Sequence, residues 1–103
     1  MPQVKISDRA RQDLQRFADF LIQNGVPEKA GEAVSLILAS FKILRTNPLV
    51  GRSYPLADYD DFRELVIEYG KNGYVALYTF DQEMDLVVIH TIRHQRELGY
   101  GHE

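Results

Sequence analysis

The chain contains no cysteine. Disulfides, thiol nucleophiles and thiolate metal sites are therefore excluded, and the composition is compatible with a reducing compartment. Long apolar stretches are missing as well: the longest, Tyr74 to Tyr78, has five residues, where about twenty are needed to span a bilayer. The N-terminus shows no basic stretch leading into an apolar one, as an export signal would, so a cytoplasmic protein is expected. Serine chemistry has little to stand on. Ser7 reads as a helix cap, Ser35 and Ser40 fall inside a helical pattern, and Ser53 lies in a loop, whereas a serine nucleophile needs a strand-turn-helix elbow of G-x-S-x-G type. Gly51-Arg52-Ser53 is a lone glycine turn without the spaced glycines and lysine that cradle phosphate.

What remains is an ordinary globular composition. The 103 residues are 45% hydrophobic and 26% charged, enough for one small domain over residues 1–103. A chain of this length buries roughly 65% of the surface its unfolded form exposes, so a core can form without metal or disulfide. The net charge is −3, but it is unevenly spread. Through Ala57 eight lysines and arginines face five acids, or +3; from Asp58 onward four face ten, or −6. A protein that grips many phosphates gathers cations where the backbone runs, and the second half of this chain mostly repels them.

Periodicity lays out the elements. Gln3 to Ile6 alternates as a short strand, and Ser7-Asp8 is an N-cap with an acid in the first turn. Ala10, Leu14, Phe17, Ala18 and Leu21 then recur at helical spacing until Asn24-Gly25 stops them. Pro27 and Glu28 open a second helix with Ala30, Ala33, Val34, Ile37, Leu38, Phe41 and Leu44 on its stripe, ending before Asn47-Pro48. Two helices joined by so short a link fold back as a hairpin. Pro48 to Asp61 has no sustained period and reads as an ordered loop. Period two begins at Phe62 to Tyr69, turns through Gly70 to Gly73, continues as Tyr74 to Phe80, turns again at Asp81 to Asp85 and ends in Leu86 to Ile92. The layout predicted is β-α-α-β-β-β, an α+β fold with the helical hairpin covering one face of a small antiparallel sheet.

His90 and His94 stand at i, i+4, a zinc spacing on a helix. On a strand they lie about 13 Å apart, too far to share a metal, and His90 reads as a cross-strand packing residue. No metal or other cofactor is implied. The run from Ile92 to Tyr100 carries the most chemistry. Cutting RNA through its 2′-hydroxyl needs a base, an acid and a cation to meet the charge growing on phosphorus. His94 can be the base or acid, Arg93 or Arg96 the cation, and Tyr100 a proton donor or stacking surface. The bland reading makes Arg93, Arg96 and Glu97 a solvated ion-paired turn with Tyr100 packing the tail down.

FRELVIEYGKNGYVALYTFD followed by LVVIHTIRHQRELGY, with the Ala10-Arg11-Gln12-Asp13-Leu14 opening and the Asn47-Pro48 and Gly51-Arg52 loop, resembles the toxins of the RelE/ParE superfamily of bacterial toxin-antitoxin pairs over nearly the whole chain. The resemblance implies a helical hairpin packed on an antiparallel sheet. It also implies one of two targets. RelE-like members cut messenger RNA on the ribosome with a basic sheet face, and Arg52, Arg63, Arg93 and Tyr100 fall on positions resembling that nuclease set. ParE-like members bind DNA gyrase and poison it without a recognised nuclease site. The lysines of the nuclease face are missing here and the sheet half carries −6, so gyrase inhibition is the expected action. A cognate antitoxin is the implied partner, a disordered segment that folds on binding by laying a helix in an apolar groove or adding a strand to a sheet edge. Messenger cleavage by Arg52, Arg63, Arg93, His94, Arg96 and Tyr100 is the alternative. A small interaction domain without toxicity is the third reading.

Overall fold

The computed structural model describes residues 1–55 and 61–97. Its first strand, β1 (Gln3–Ile6), passes through Ser7 into α1 (Asp8–Gln23). The Ser7 hydroxyl accepts from the Ala10 amide at 3.0 Å and donates to the His90 carbonyl at 2.7 Å. One side chain thus caps the helix and ties its start to a distant strand. At the other end Gly25 takes φ +78°, and the amides of Gly25 and Val26 return to the carbonyls of Ile22 and Leu21 at 3.1 and 3.0 Å, the closure a left-handed residue permits.

Pro27 opens α2 (Pro27–Ser40). The helical stripe predicted a single helix up to Asn47, but the chain tightens into a 3₁₀ segment over Phe41–Arg45. Three residues per turn set Phe41 and Leu44 on one side, and both are buried in the main core.

The remaining strands are β2 (Arg52–Ser53), β3 (Phe62–Tyr69), β4 (Asn72–Asp81) and β5 (Leu86–His94), in the order β1-β5-β4-β3-β2. The expected β3-β4-β5 meander is present and antiparallel. Two findings correct the rest of the sheet. β1 lies parallel to β5, with Val4 opposite Val87, so the sheet is mixed; no tight turn joins these strands, and nothing local imposes antiparallel pairing on them. Within the stretch read as a loop, β2 pairs with β3, Arg52 opposite Glu64 and Ser53 opposite Arg63. The class remains α+β, two helices on one face of a five-stranded sheet.

The covered face holds the core: Ala10, Leu14 and Phe17 of α1 and Ile37 of α2 pack on Ile67, Tyr78, Val87, Ile89 and Ile92. One carboxylate enters this layer. Asp13, 2% exposed, accepts from the Thr91 hydroxyl and the Ile92 amide at 2.8 Å each and from Arg9 Nε at 3.3 Å. A buried charge is tolerated only with such a set of donors, and these join α1 to β5. On the opposite face Val75 and Leu77 form a smaller cluster with Tyr54 and Phe62 packed against it. No helix among the described residues is long and apolar enough to cross a membrane.

Candidate functional site: the open face of the sheet

Strand alternation turns Phe62, Glu64, Val66 and Glu68 of β3 away from the helices, together with Val75 and Leu77 of β4. At the centre sits Glu64, its side chain 5% exposed. Arg52, directly opposite on β2, donates from Nε to Oε1 at 2.8 Å. Arg93 reaches across from β5 and brings Nη2 to 3.8 Å from Oε2, its side chain 17% exposed. The same guanidinium donates from Nη1 to the carbonyls of His94, Gln95 and Glu97 at 3.4, 3.3 and 3.2 Å. Arg93 therefore closes the turn after β5 as well as facing Glu64.

Arg63 occupies the other face. Its register partner is Tyr78 of the main core, and its Nη1 donates to the carbonyls of Leu49 and Gly51 at 3.1 and 2.8 Å. Tyr78 completes the stitch, donating its hydroxyl to the Pro48 carbonyl and accepting from the Gly51 amide, both at 2.8 Å. Burial raises the pKa of this hydroxyl above the ordinary tyrosine value, with Gly51 and Arg63 pulling partly against it. Only glycine fits at position 51, because a Cβ there would lie 2.6 Å from the Glu64 carbonyl oxygen and from the Tyr78 ring.

His94 also faces the helix layer, its ring edge-on to Tyr74 at 5.4 Å and its Nδ1 accepting from the Arg96 amide at 3.2 Å. Arg96 donates from Nε to Asn72 Oδ1 at 3.1 Å at the exposed end of the hairpin. Tyr100 lies outside the described residues. Of the six residues proposed for RNA cutting, then, Arg52 and Arg93 converge through Glu64, while Arg63 and His94 are turned to the opposite face.

His90 is the extra residue of a bulge, since Leu77 faces Thr91 but Tyr78 faces Ile89. Its Nε2 lies 2.8 Å from Thr79 Oγ1 and its ring is tilted against Phe62 at 5.3 Å, the packing role expected of it. Burial lowers its pKa. Among the described residues no three His, Asp or Glu side chains come together as a metal site.

Sequence reading found the arginines and missed Glu64. Alternation along β3 sets Glu64 on the face away from Leu65 and Ile67, but the pairing with Arg52 exists only because a two-residue strand forms where no period marks one. The face that results carries Lys5, Arg52 and Arg93 against Glu64, Glu68 and Asp81, with Val75 and Leu77 as an apolar strip beside Glu64. Chemically it is a self-neutralised ion cluster beside a hydrophobic strip.

A helical hairpin on a mixed five-stranded sheet is the RelE/ParE-like fold. Over residues 4–99 the chain matches the family model of the ParE toxin of the type II toxin-antitoxin system parDE, and it belongs to that family. Its fold is similar to that of the chromosomal ParDE toxin-antitoxin system from P. aeruginosa, at TM-score 0.73 and 24% identity over 91% of this chain and 96% of that one. It is similar also to the RelBE2 toxin-antitoxin complex from Mycobacterium tuberculosis, at 0.59 and 23% over 92% of this chain and 100% of that one. A conserved hypothetical protein from Helicobacter pylori, solved in solution, follows at 0.50 and 18% over 96% of this chain and 100% of that one. At these identities the likeness is one of fold. No curated protein matches the chain.

Proposed function

We propose that this ParE-family toxin acts by binding DNA gyrase and stopping it, in the cytoplasm, and that a cognate antitoxin silences it. The observation that carries the reading is Glu64. An enzyme that cuts messenger RNA must offer cations to a phosphodiester whose charge grows in the transition state. Here Arg52 and Arg93 face a buried carboxylate, Arg63 is held by two backbone carbonyls, and His94 is turned to the helix side. What is left on the open face is an apolar strip bordered by Glu68, Asp81 and a single lysine, Lys5, chemistry suited to a protein surface. An antitoxin partner is supported by family membership and by the toxin-antitoxin systems among the similar structures.

Messenger cleavage keeps one observation in its favour, the 61% exposure of the Arg52 side chain, and the test separates the two. Purified protein added to a gyrase supercoiling reaction is expected to inhibit it in proportion to dose, while messages in a translating extract stay intact. Normal supercoiling with truncated messages would instead establish the ribonuclease. Inertness in both would leave an interaction domain without toxicity.

A further inference from the structure

The backbone over residues 48–51 is tied down at every residue. The Tyr78 hydroxyl donates to the Pro48 carbonyl and accepts from the Gly51 amide, and Arg63 donates to the carbonyls of Leu49 and Gly51. The Val50 amide closes on the Asn47 carbonyl at 3.2 Å, and the Thr46 and Asn47 amides close on the Ile43 carbonyl at 3.2 and 2.8 Å. These successive turns are ordered without a partner. Their apolar side chains are nevertheless left in water: Leu49 is 55% exposed, Ile43 48% and Val50 44%, and none of the three packs on either core cluster. A lone exposed apolar side chain is ordinary, whereas three along one braced turn make a patch.

The charge around this patch is of one sign. Residues 33–57 hold no acid and three cations, Lys42, Arg45 and Arg52, while before them five cations meet five acids. The basic excess of the first half is therefore carried entirely by this stretch. Lys42 and Arg45 are exposed and make no ion pair among the described residues. The dipole at the end of the helical segment favours cations there, but it gives no reason for the apolar side chains beside them.

We propose that the turn over residues 43–50 is the grip of this toxin on its target: Leu49 and Val50 enter an apolar pocket on a folded protein, and Lys42 and Arg45 meet an acidic rim around it. Two adjacent apolar side chains held out from a braced turn fit a preformed pocket, which a disordered antitoxin segment does not offer. Since the turn is already ordered, little conformational entropy opposes its docking. The same run of chain continues into Arg52 and Tyr54 at the open face. The inference rests on the gyrase reading above and adds which surface of the toxin makes the contact.

The test is supercoiling by purified gyrase in the presence of the full chain. L49S/V50S changes exposed side chains and keeps the backbone bonds of the turn; it is expected to raise the dose for half inhibition about tenfold or more. K42E/R45E should raise it too, by more at low salt than at high salt. Met84→Ser, at a 70% exposed apolar side chain between β4 and β5, is expected to inhibit as the wild type does, with urea unfolding confirming that all variants fold. Because the chain has no cysteine, Asn47→Cys can carry a single polarity-sensitive dye, whose emission should shift to the blue on adding gyrase but not on adding duplex DNA. Inhibition at wild-type dose by both double variants, with unshifted emission, overturns the contact and leaves the gyrase reading standing. A shift produced by duplex DNA alone, or by unlabelled copies of the chain, also overturns it. A wild-type chain that leaves supercoiling untouched overturns the gyrase reading and the contact together.

Discussion

The two faces of the sheet are built on different physics. The helix-covered face is held by shape: Ile37, Tyr78, Val87 and Ile89 are each at 0% exposure, and the polar groups that enter, Asp13 and the Tyr78 hydroxyl, meet their donors and acceptors within 3.3 Å. The open face is held by charge around Glu64, with a thin apolar strip beside it. Apolar burial stabilises whatever the target is. An internal ion cluster also decides what cannot bind there, because each guanidinium facing Glu64 is one less for a phosphate.

The contrast can be broken at either face. Ile89→Ala in the covered face leaves a cavity among fully buried neighbours and is expected to cost about 3 to 4 kcal/mol, read as a lowered midpoint in urea with unchanged slope. Glu64→Gln on the open face removes the shared carboxylate. Arg52 can turn to water, so the loss is expected to be about 2 kcal/mol, below that of a fully buried pair. The same variant should gain affinity for short RNA, because Arg52 and Arg93 lose their counter-charge; no gain would show that Glu64 does not set what the face accepts.

Ser7→Ala sits where the two layers are joined. It removes a helix cap and the bond to the His90 carbonyl, and about 1.5 kcal/mol is expected, measured by denaturant unfolding. The smallest effect belongs to His90. Burial lowers its pKa, so the unfolded chain binds the proton more readily; the contribution is complete above the ordinary value of 6.5 and is lost as pH falls below it. His90→Gln should therefore flatten part of the decline in melting temperature between about pH 7 and pH 5, and an unchanged slope would remove His90 from the pH response.

The elements with local signals were legible before the structure. Ser7, Asn24-Gly25 and Pro27 mark helix ends through chemistry that acts within four residues, and the Phe62 to Tyr69 strand follows from alternation alone. What depends on distant partners was not. β2 forms because Arg52 finds Glu64 and because Tyr78 and Arg63 stitch the loop before it, none of which shows as a period. The parallel pairing of β1 with β5 joins the two ends of the chain. The site divides the same way: residue type identified the arginines, whereas which face each occupies follows from register and from the bulge at His90.

Binding of a short single-stranded RNA to the purified wild-type chain, followed across a salt series, tests the self-neutralised face most directly. Expected is no saturable binding at physiological salt. Tight binding whose affinity falls steeply with salt, and which disappears in R52A/R93A, would mean that the open face holds a polyanion after all.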